Sequence, residues 1–357
     1  MNKKNHPKIG VIGVGTIGKI HLRALGAAGI PVTAMADTSS SALEAASSLA
    51  PDAKHYADWR DLLADPVVEA VVICTINSMH WQILKEVIAT GKHAFCEKTM
   101  TVGAEQAKEA VTTKLKPGQI VQIGYMKRFF PASQWAKEHF AEIGEPICAT
   151  VRSFQGGLCD DGVFDSADWR PTEAGPSRTR QFASGGMLNM AGSHMLDMTA
   201  WLLGAPRGIT CRTWAPEGYD AELHAHALFE MERGPIVHFS AALSTYSKTG
   251  PYGNGWDEMI QIDGKKGRLE LIYPLWDRPA DFSARARIYR ESTGVWEEPE
   301  FARANAFQLE QEAFAKRCRG ETAESPSIGE AAIVDCWLDA CYQSVARGGE
   351  RVLFQNP

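Results

Sequence analysis

The sequence lacks several patterns that would settle its class at once. Its eight cysteines, Cys74, Cys96, Cys148, Cys159, Cys211, Cys318, Cys336 and Cys341, form no C-x-x-C pair. Such scattering argues against a disulfide framework or a zinc spacing and fits free thiols in a reducing compartment. No apolar run reaches the roughly 20 residues that span a bilayer, so no membrane partner is expected. The opening MNKKNHPK is basic, but a glycine loop interrupts the apolar stretch after it. No signal peptide is therefore expected, and the placement read is cytoplasmic. Basic residues are not clustered and the net charge is -6, which argues against nucleic acid as a partner. Internal repeats and low-complexity tracts are absent. His224 and His226 alternate on a strand and share a face, but no third ligand accompanies them, so no metal is expected.

At 357 residues, with 45% hydrophobic and 22% charged residues, the chain is long enough for two domains with their own cores. Lys8 to Leu25, KIGVIGVGTIGKIHLRAL, organises the first. Ile9, Val11, Ile12 and Val14 read as a buried strand. Gly13, Gly15 and Gly18 form G-x-G-x-x-G, and Ile17, Ile20, His21, Ala24 and Leu25 recur at helical spacing. A strand, a tight turn and a helix N-terminus make an anion cradle for a pyrophosphate, with Gly13 to Gly18, including Thr16 and Ile17, at the contact. A second strand ends at Asp37, 24 positions after Gly13. A carboxylate there accepts from ribose hydroxyls and repels a 2′-phosphate. Thr38, Ser39, Ser40 and Ser41 follow it, with no Arg or Lys, which favours NAD over NADP. Asp37 is also well suited to cap the next helix.

The Val/Ile-rich run 67–75 reads as a strand buried on both faces, as in a parallel sheet. Thr75, Asn77 and His80 follow its carboxyl end, where ligands bind in open α/β sheets. His80 is either a cofactor contact or simply the start of a helix. The strand Gly91 to Cys96 runs into Glu97-Lys98-Thr99, and 119–125 reads as the last strand of the sheet. Alternating strands and helices from 8 to 125 make one doubly wound dinucleotide domain, 1–125.

From 126 to 357 the strands lengthen and alternate, as in an antiparallel sheet with one wet face. Those at 146–154, 209–214, 223–231, 236–244, 258–263, 268–272 and 285–290, with Gly264 to Gly267 as a hairpin turn, make an α+β domain around a large, mostly antiparallel open sheet. Helices at 304–319 and 329–346 return to cover the structure. Gly185 to Gly204 reads as one bounded helix with His194, Asp197 and Trp201 on one face. The polar loop before it carries Asp160, Asp161, Asp165, Asp168, Trp169, Arg170, Arg178 and Arg180, which suits a sugar-sized substrate. Trp256 and Tyr252, in GPYGNGW, either stack on a sugar or anchor their loop. The methionines at 187, 190, 195 and 198 read as core.

These motifs together resemble the glucose–fructose oxidoreductase / inositol dehydrogenase / rhizopine-catabolism superfamily over nearly the whole chain. The likeness includes G-x-G-x-x-G, Thr-x-Asn-x-x-His at 75–80, Glu97-Lys98, the junction 124–131, Asp168-Trp169-Arg170 and the G-G…G-x-H-x-x-D helix. It implies an oxidoreductase that moves hydride between a nicotinamide cofactor and a sugar, inositol or polyol. By the same resemblance the protein is a homodimer or homotetramer built through the exposed sheet face. Carried over, Lys98 polarises the reacting oxygen beside the nicotinamide, and burial at a strand end lowers its pKa toward usefulness. His194 moves the proton, or else is a packed histidine bonded to Asp197. The alternative for Asp197 is a packing group between the helix and the nucleotide domain. Glu97 belongs to the cofactor side, and Lys98, Arg128, Asp168, Trp169, Arg170, Asn189 and His194 line the substrate side.

The chain departs from the family pattern twice. Thr99 replaces the usual proline after Lys98; a cis bond without proline costs about 3–4 kcal/mol, so Lys98–Thr99 is expected trans, or strained for function. Met190 stands where relatives carry an aspartate four residues before the histidine. The alternatives are a redox-assisted lyase or glycosidase with no net cofactor turnover, and a silent dinucleotide- or sugar-binding regulator.

Overall fold

The computed structural model describes residues 6–156, 185–219, 221–243, 246, 248–276 and 278–357. The chain divides into two compact units: Met1–Met126 with Asn305–Ala332, and Lys127–Ala304 with Ile333–Pro357. Residues 305–332 fold with the first unit, so the stretch 126–357 is interrupted where the late helices return. Burial is the reason: Phe314 and Ala315 share one apolar core with Ile9, Val11, Val72 and Phe95.

The first unit holds six strands: β1 (Ile9–Ile12), β2 (Val32–Ala36), β3 (Lys54–Tyr56), β4 (Ala70–Ile73), β5 (His93–Glu97) and β6 (Val121–Gly124). Their order is β3-β2-β1-β4-β5-β6, and every neighbouring pair is parallel. The crossovers run through α1 (Thr16–Ala27), α2 (Ser40–Ser47), α3 (Trp59–Ala64), α4 (Asn77–Thr90) and α5 (Ala104–Thr112). All residues of β1 and β4 are buried, which is why their sequences are Ile, Val, Ala and Gly with no polar alternation. Periodicity does not predict β3, a short, largely exposed edge strand, or the one-and-a-half turns of α3 after it.

The second unit is built on nine strands: β7 (Pro146–Gln155), β8 (Pro206–Trp214), β9 (His224–Met231), β10 (Ile236–Leu243), β11 (Trp256–Gly264), β12 (Gly267–Tyr273), β13 (Arg285–Arg290), β14 (Val295–Glu297) and β15 (Val352–Leu353). Their order is β14-β13-β12-β11-β7-β10-β9-β8-β15. Among the described residues, only the β7–β10 pair of this sheet is parallel. Val151, Phe229, Phe239 and Ile260 point to the buried face, and Leu228 and Ile236 to the exposed one, as period-two alternation requires. Gly264 pairs with Gly267 across the expected hairpin.

The second unit also carries α6 (Pro131–His139) and α7 (Ser193–Leu203). The helix expected over Gly185 to Gly204 is not uniform: Leu188–Gly192 is π-helical and only Ser193–Leu203 is α-helical. The late helices are α8 (Ala306–Cys318) and α9 (Ile328–Ala346). Among the described residues, no helix is long and apolar enough to cross a membrane.

Candidate active site

In the first unit the strand register brings the predicted residues to one edge of the sheet. Ile12 pairs with Ile73, Ile73 with Cys96, and Glu97 with Gly124, so the segments after β1, β4 and β5 leave the sheet side by side. The glycine loop follows β1. Gly13 has φ +86°, and a Cβ there would lie 2.7 Å from the Cys74 carbonyl oxygen. A Cβ on Gly18 would lie 2.1 Å from the Gly13 carbonyl oxygen. Above Gly15 the space is open, with nothing within 4 Å of a built Cβ. Gly15 also caps α1 without a side-chain bond, and Gly15 and Thr16 are exposed. An uncapped helix start over open space is the cradle a pyrophosphate needs, so these residues fit a dinucleotide.

Asp37 is tied to this loop. Its Oδ2 accepts from the Val14 amide at 2.9 Å, and its Oδ1 accepts from the Ser39 amide at 2.9 Å. The cap of α2 is Ser39, whose hydroxyl oxygen accepts from the Ala42 amide, so capping falls to the serine rather than to Asp37. Each carboxylate oxygen keeps a lone pair for a ribose hydroxyl.

Lys98 follows β5 directly and is half-buried. Its peptide bond to Thr99, expected trans, is cis. Backbone and side-chain bonds surround this step. The Lys98 amide donates to Glu97 Oε2 at 3.0 Å, and Asn77 Nδ2 donates to Thr99 Oγ1 at 3.0 Å. His80 is buried, with Nδ1 2.8 Å from the Thr99 carbonyl oxygen and Nε2 3.0 Å from that of Thr75. Two carbonyls can only accept, so a neutral ring serves one at a time. Burial pulls the His80 pKa down, against the pull of both carbonyl bonds. The structure thus uses His80 to join the end of β4 to the Lys98–Thr99 step.

Glu97, placed by sequence on the cofactor side, is buried with Oε1 2.7 Å from His21 Nε2. His21 Nδ1 lies 3.0 Å from Gln311 Nε2, and the ring packs edge-on between Phe95 and Phe307. Helical spacing marks His21 as a buried position, but nothing local pairs it with residues 97 and 311.

In the second unit, Met187, Leu188 and Asn189 are buried, Met190 is 43% exposed and His194 is half-buried. Met190 is thus not core like Met187, Met195 and Met198; the π-helical turn presents it outward. Asp197 is fully buried, and its carboxylate accepts from Arg128 Nε at 2.9 Å and from Nη2 at 2.6 Å. Arg128, expected to face substrate, is 1% exposed and also lies over the Trp201 ring. The Asp197–Arg128 pair therefore anchors α7 within its own unit. Glu222 holds the start of the π-helical turn, accepting from the Leu188 amide and the Tyr342 hydroxyl, both at 3.0 Å. Trp256 is buried and donates to Glu258, while the Tyr252 hydroxyl donates to the Ser283 carbonyl, so both anchor their loop. Asp168, Trp169 and Arg170, with Asp160, Asp161, Asp165, Arg178 and Arg180, lie outside the described residues.

Two family models match the chain. Residues 7–125 match an oxidoreductase family with an NAD-binding Rossmann fold, and residues 142–270 match the GFO/IDH/MocA C-terminal domain. Among curated relatives, inositol 2-dehydrogenase of Agrobacterium fabrum is 25% identical over 98% of this chain and 97% of its own. The inositol 2-dehydrogenase of Burkholderia multivorans is 28% identical over 96% of this chain and 94% of its own. Among solved structures, a levoglucosan dehydrogenase in complex with NADH superposes with a TM-score of 0.80 at 20% identity, covering 98% of this chain and 100% of the other. That likeness bears on the fold alone.

Proposed function

The chain belongs to the glucose–fructose oxidoreductase / inositol dehydrogenase / rhizopine-catabolism family of NAD-binding oxidoreductases, and from that premise we propose that it oxidises a secondary alcohol of a sugar, an inositol or a related polyol, or reduces the matching ketone. The observation that carries this reading is the place of Lys98, one residue past β5 on the sheet edge that also bears the glycine cradle. The amides of the Gly13 to Gly18 turn would hold the pyrophosphate, and Asp37 would accept from the ribose hydroxyls. Thr75, Asn77, Glu97 and Lys98 would serve the nicotinamide end. When bound, the nicotinamide supplies the hydride acceptor or donor. The Lys98 ammonium donates to the reacting oxygen and stabilises its negative charge as the proton leaves. His194 takes that proton in oxidation and returns it in reduction. Asn189 and the loop residues Asp168, Trp169 and Arg170 contact substrate hydroxyls, while Arg128 serves the substrate side indirectly, by holding α7 through Asp197.

The test is to follow cofactor absorbance with NAD, and separately NADP, against a panel of sugars and inositols. NAD reduction with at least one polyol is expected, and a Lys98→Ala protein that retained most of that activity would sink the mechanism.

A further inference from the structure

Beside Glu97, the residue before Lys98, the first unit buries several hydrogen-bond acceptors that have no donor among the described residues. Glu310, on α8, is 0% exposed, and neither of its carboxyl oxygens has a hydrogen-bond partner among the described residues. Gln311 Oε1 and Gln122 Oε1 are likewise buried and unpartnered there. One ligating atom each from His21, Glu97 and Glu310 falls within 4.8 Å of the others. His21 donates to Glu97 through Nε2 at 2.7 Å and accepts from the Gln311 amide through Nδ1 at 3.0 Å. That assignment uses both ring nitrogens. It leaves no imidazole lone pair directed at the carboxyls, which argues against a cation among them. It also leaves the acceptor surplus unrelieved.

Two carboxylates this close in a buried site do not both stay ionised. A proton on Glu310 removes the second charge and supplies the missing donor. We propose that Glu310 is a positioning residue for Lys98: it is a neutral carboxylic acid, and its proton leaves Glu97 the single anion of the cluster, held on His21 and on the Lys98 amide. The inference rests on the reading of Lys98 given above. The groups around the Glu97–Glu310 pair are consistent with it. His21 comes from α1, Cys74 from the end of β4, His80 from α4, Cys96 and Lys98 flank Glu97, and Gln122 on β6 donates to the Glu310 carbonyl at 3.1 Å. Burial and the Glu97 charge both push the Glu310 carboxyl well above its ordinary range. Burial is the largest influence on the Glu97 carboxyl and opposes its charge, but the His21 hydrogen bond and the Lys98 charge act the other way, and Glu97 is held below its ordinary range.

The sign of the pH effect follows. Above about pH 4.5 the unfolded chain loses the Glu310 proton while the folded chain keeps it. Folding stability therefore falls as pH rises, until the folded value is passed. Glu310→Gln keeps the shape, supplies donors and abolishes the titration.

The experiment compares this variant with wild type, both saturated with NAD, in thermal melts from about pH 4 to 9 and in pH profiles of kcat/KM. The variant is expected to melt higher than wild type near pH 8, with the gap closing toward pH 4. Its alkaline limb of kcat/KM is expected to move up by about one pH unit. Superimposable profiles would overturn the inference, as would a variant that melts lower at pH 8. So would metal in stoichiometric amount in the purified wild type, lost in Glu310→Gln. Lys98→Ala, assayed alongside, separates the two readings. If it stays active the role of Lys98 fails, and with it the positioning role. If it is inactive while the Glu310→Gln profiles do not move, only the present inference fails.

Discussion

Lys98, proposed to polarise the reacting oxygen, and His194, proposed to move its proton, sit in surroundings that are built differently. Around Lys98 the fixing bonds run largely to main chain: the Lys98 amide to Glu97, the Thr99 and Thr75 carbonyls to His80, the Val14 amide to Asp37. The helix that carries His194 is held instead by side-chain charge, with Asp197 against Arg128. Beside it, Lys127 pairs with Glu258, which also accepts from Ser153 and Trp256. A site fixed through backbone tolerates much sequence change, because amides and carbonyls are always present. One fixed by a buried ion pair depends on both partners together.

That contrast can be broken in graded steps. The largest effect is chemical: Lys98→Met should lower kcat/KM by about 10²–10⁴-fold in the steady-state assay. Asp197→Ala strands the Arg128 guanidinium in the interior and should cost about 3–5 kcal/mol in urea unfolding. The double replacement Arg128→Met with Asp197→Leu should recover most of that loss; if it does not, the pair does more than neutralise itself. Gly13→Ala sets a Cβ against the Cys74 carbonyl at positive φ, and about 1–3 kcal/mol of stability should go, together with NAD binding. Smallest is Asp37→Asn, which turns one acceptor toward an amide donor. It should cost about 0.5–1.5 kcal/mol, read as a raised KM for NAD with kcat little changed.

The same contrast explains what could be read in advance. The strand–turn–helix at Lys8 to Leu25 was legible because glycine positions and apolar periodicity are local, and backbone chemistry follows from them. The alternating strands of the second unit were legible to within a few residues for the same reason. Asp37 was placed correctly in sequence, but its bond to Val14 depends on a register that only the folded sheet sets. His21 and Gln311 lie 290 positions apart, and no local pattern links them. The Lys98–Thr99 geometry and the outward turn of Met190 were missed because each depends on neighbours far along the chain, where rules for single residues do not reach.

The return of 305–332 to the first unit has a consequence for synthesis. As the chain leaves the ribosome, Ile9 to Gly124 can pair into the parallel sheet, yet the faces of His21 and Phe95 that meet Phe307 and Phe314 stay open. The nucleotide-binding half is made first and finished nearly last, with β7 to β14 of the second unit emerging in between. For most of its birth the nascent protein therefore carries an incomplete apolar surface, which is a natural holding site for a chaperone.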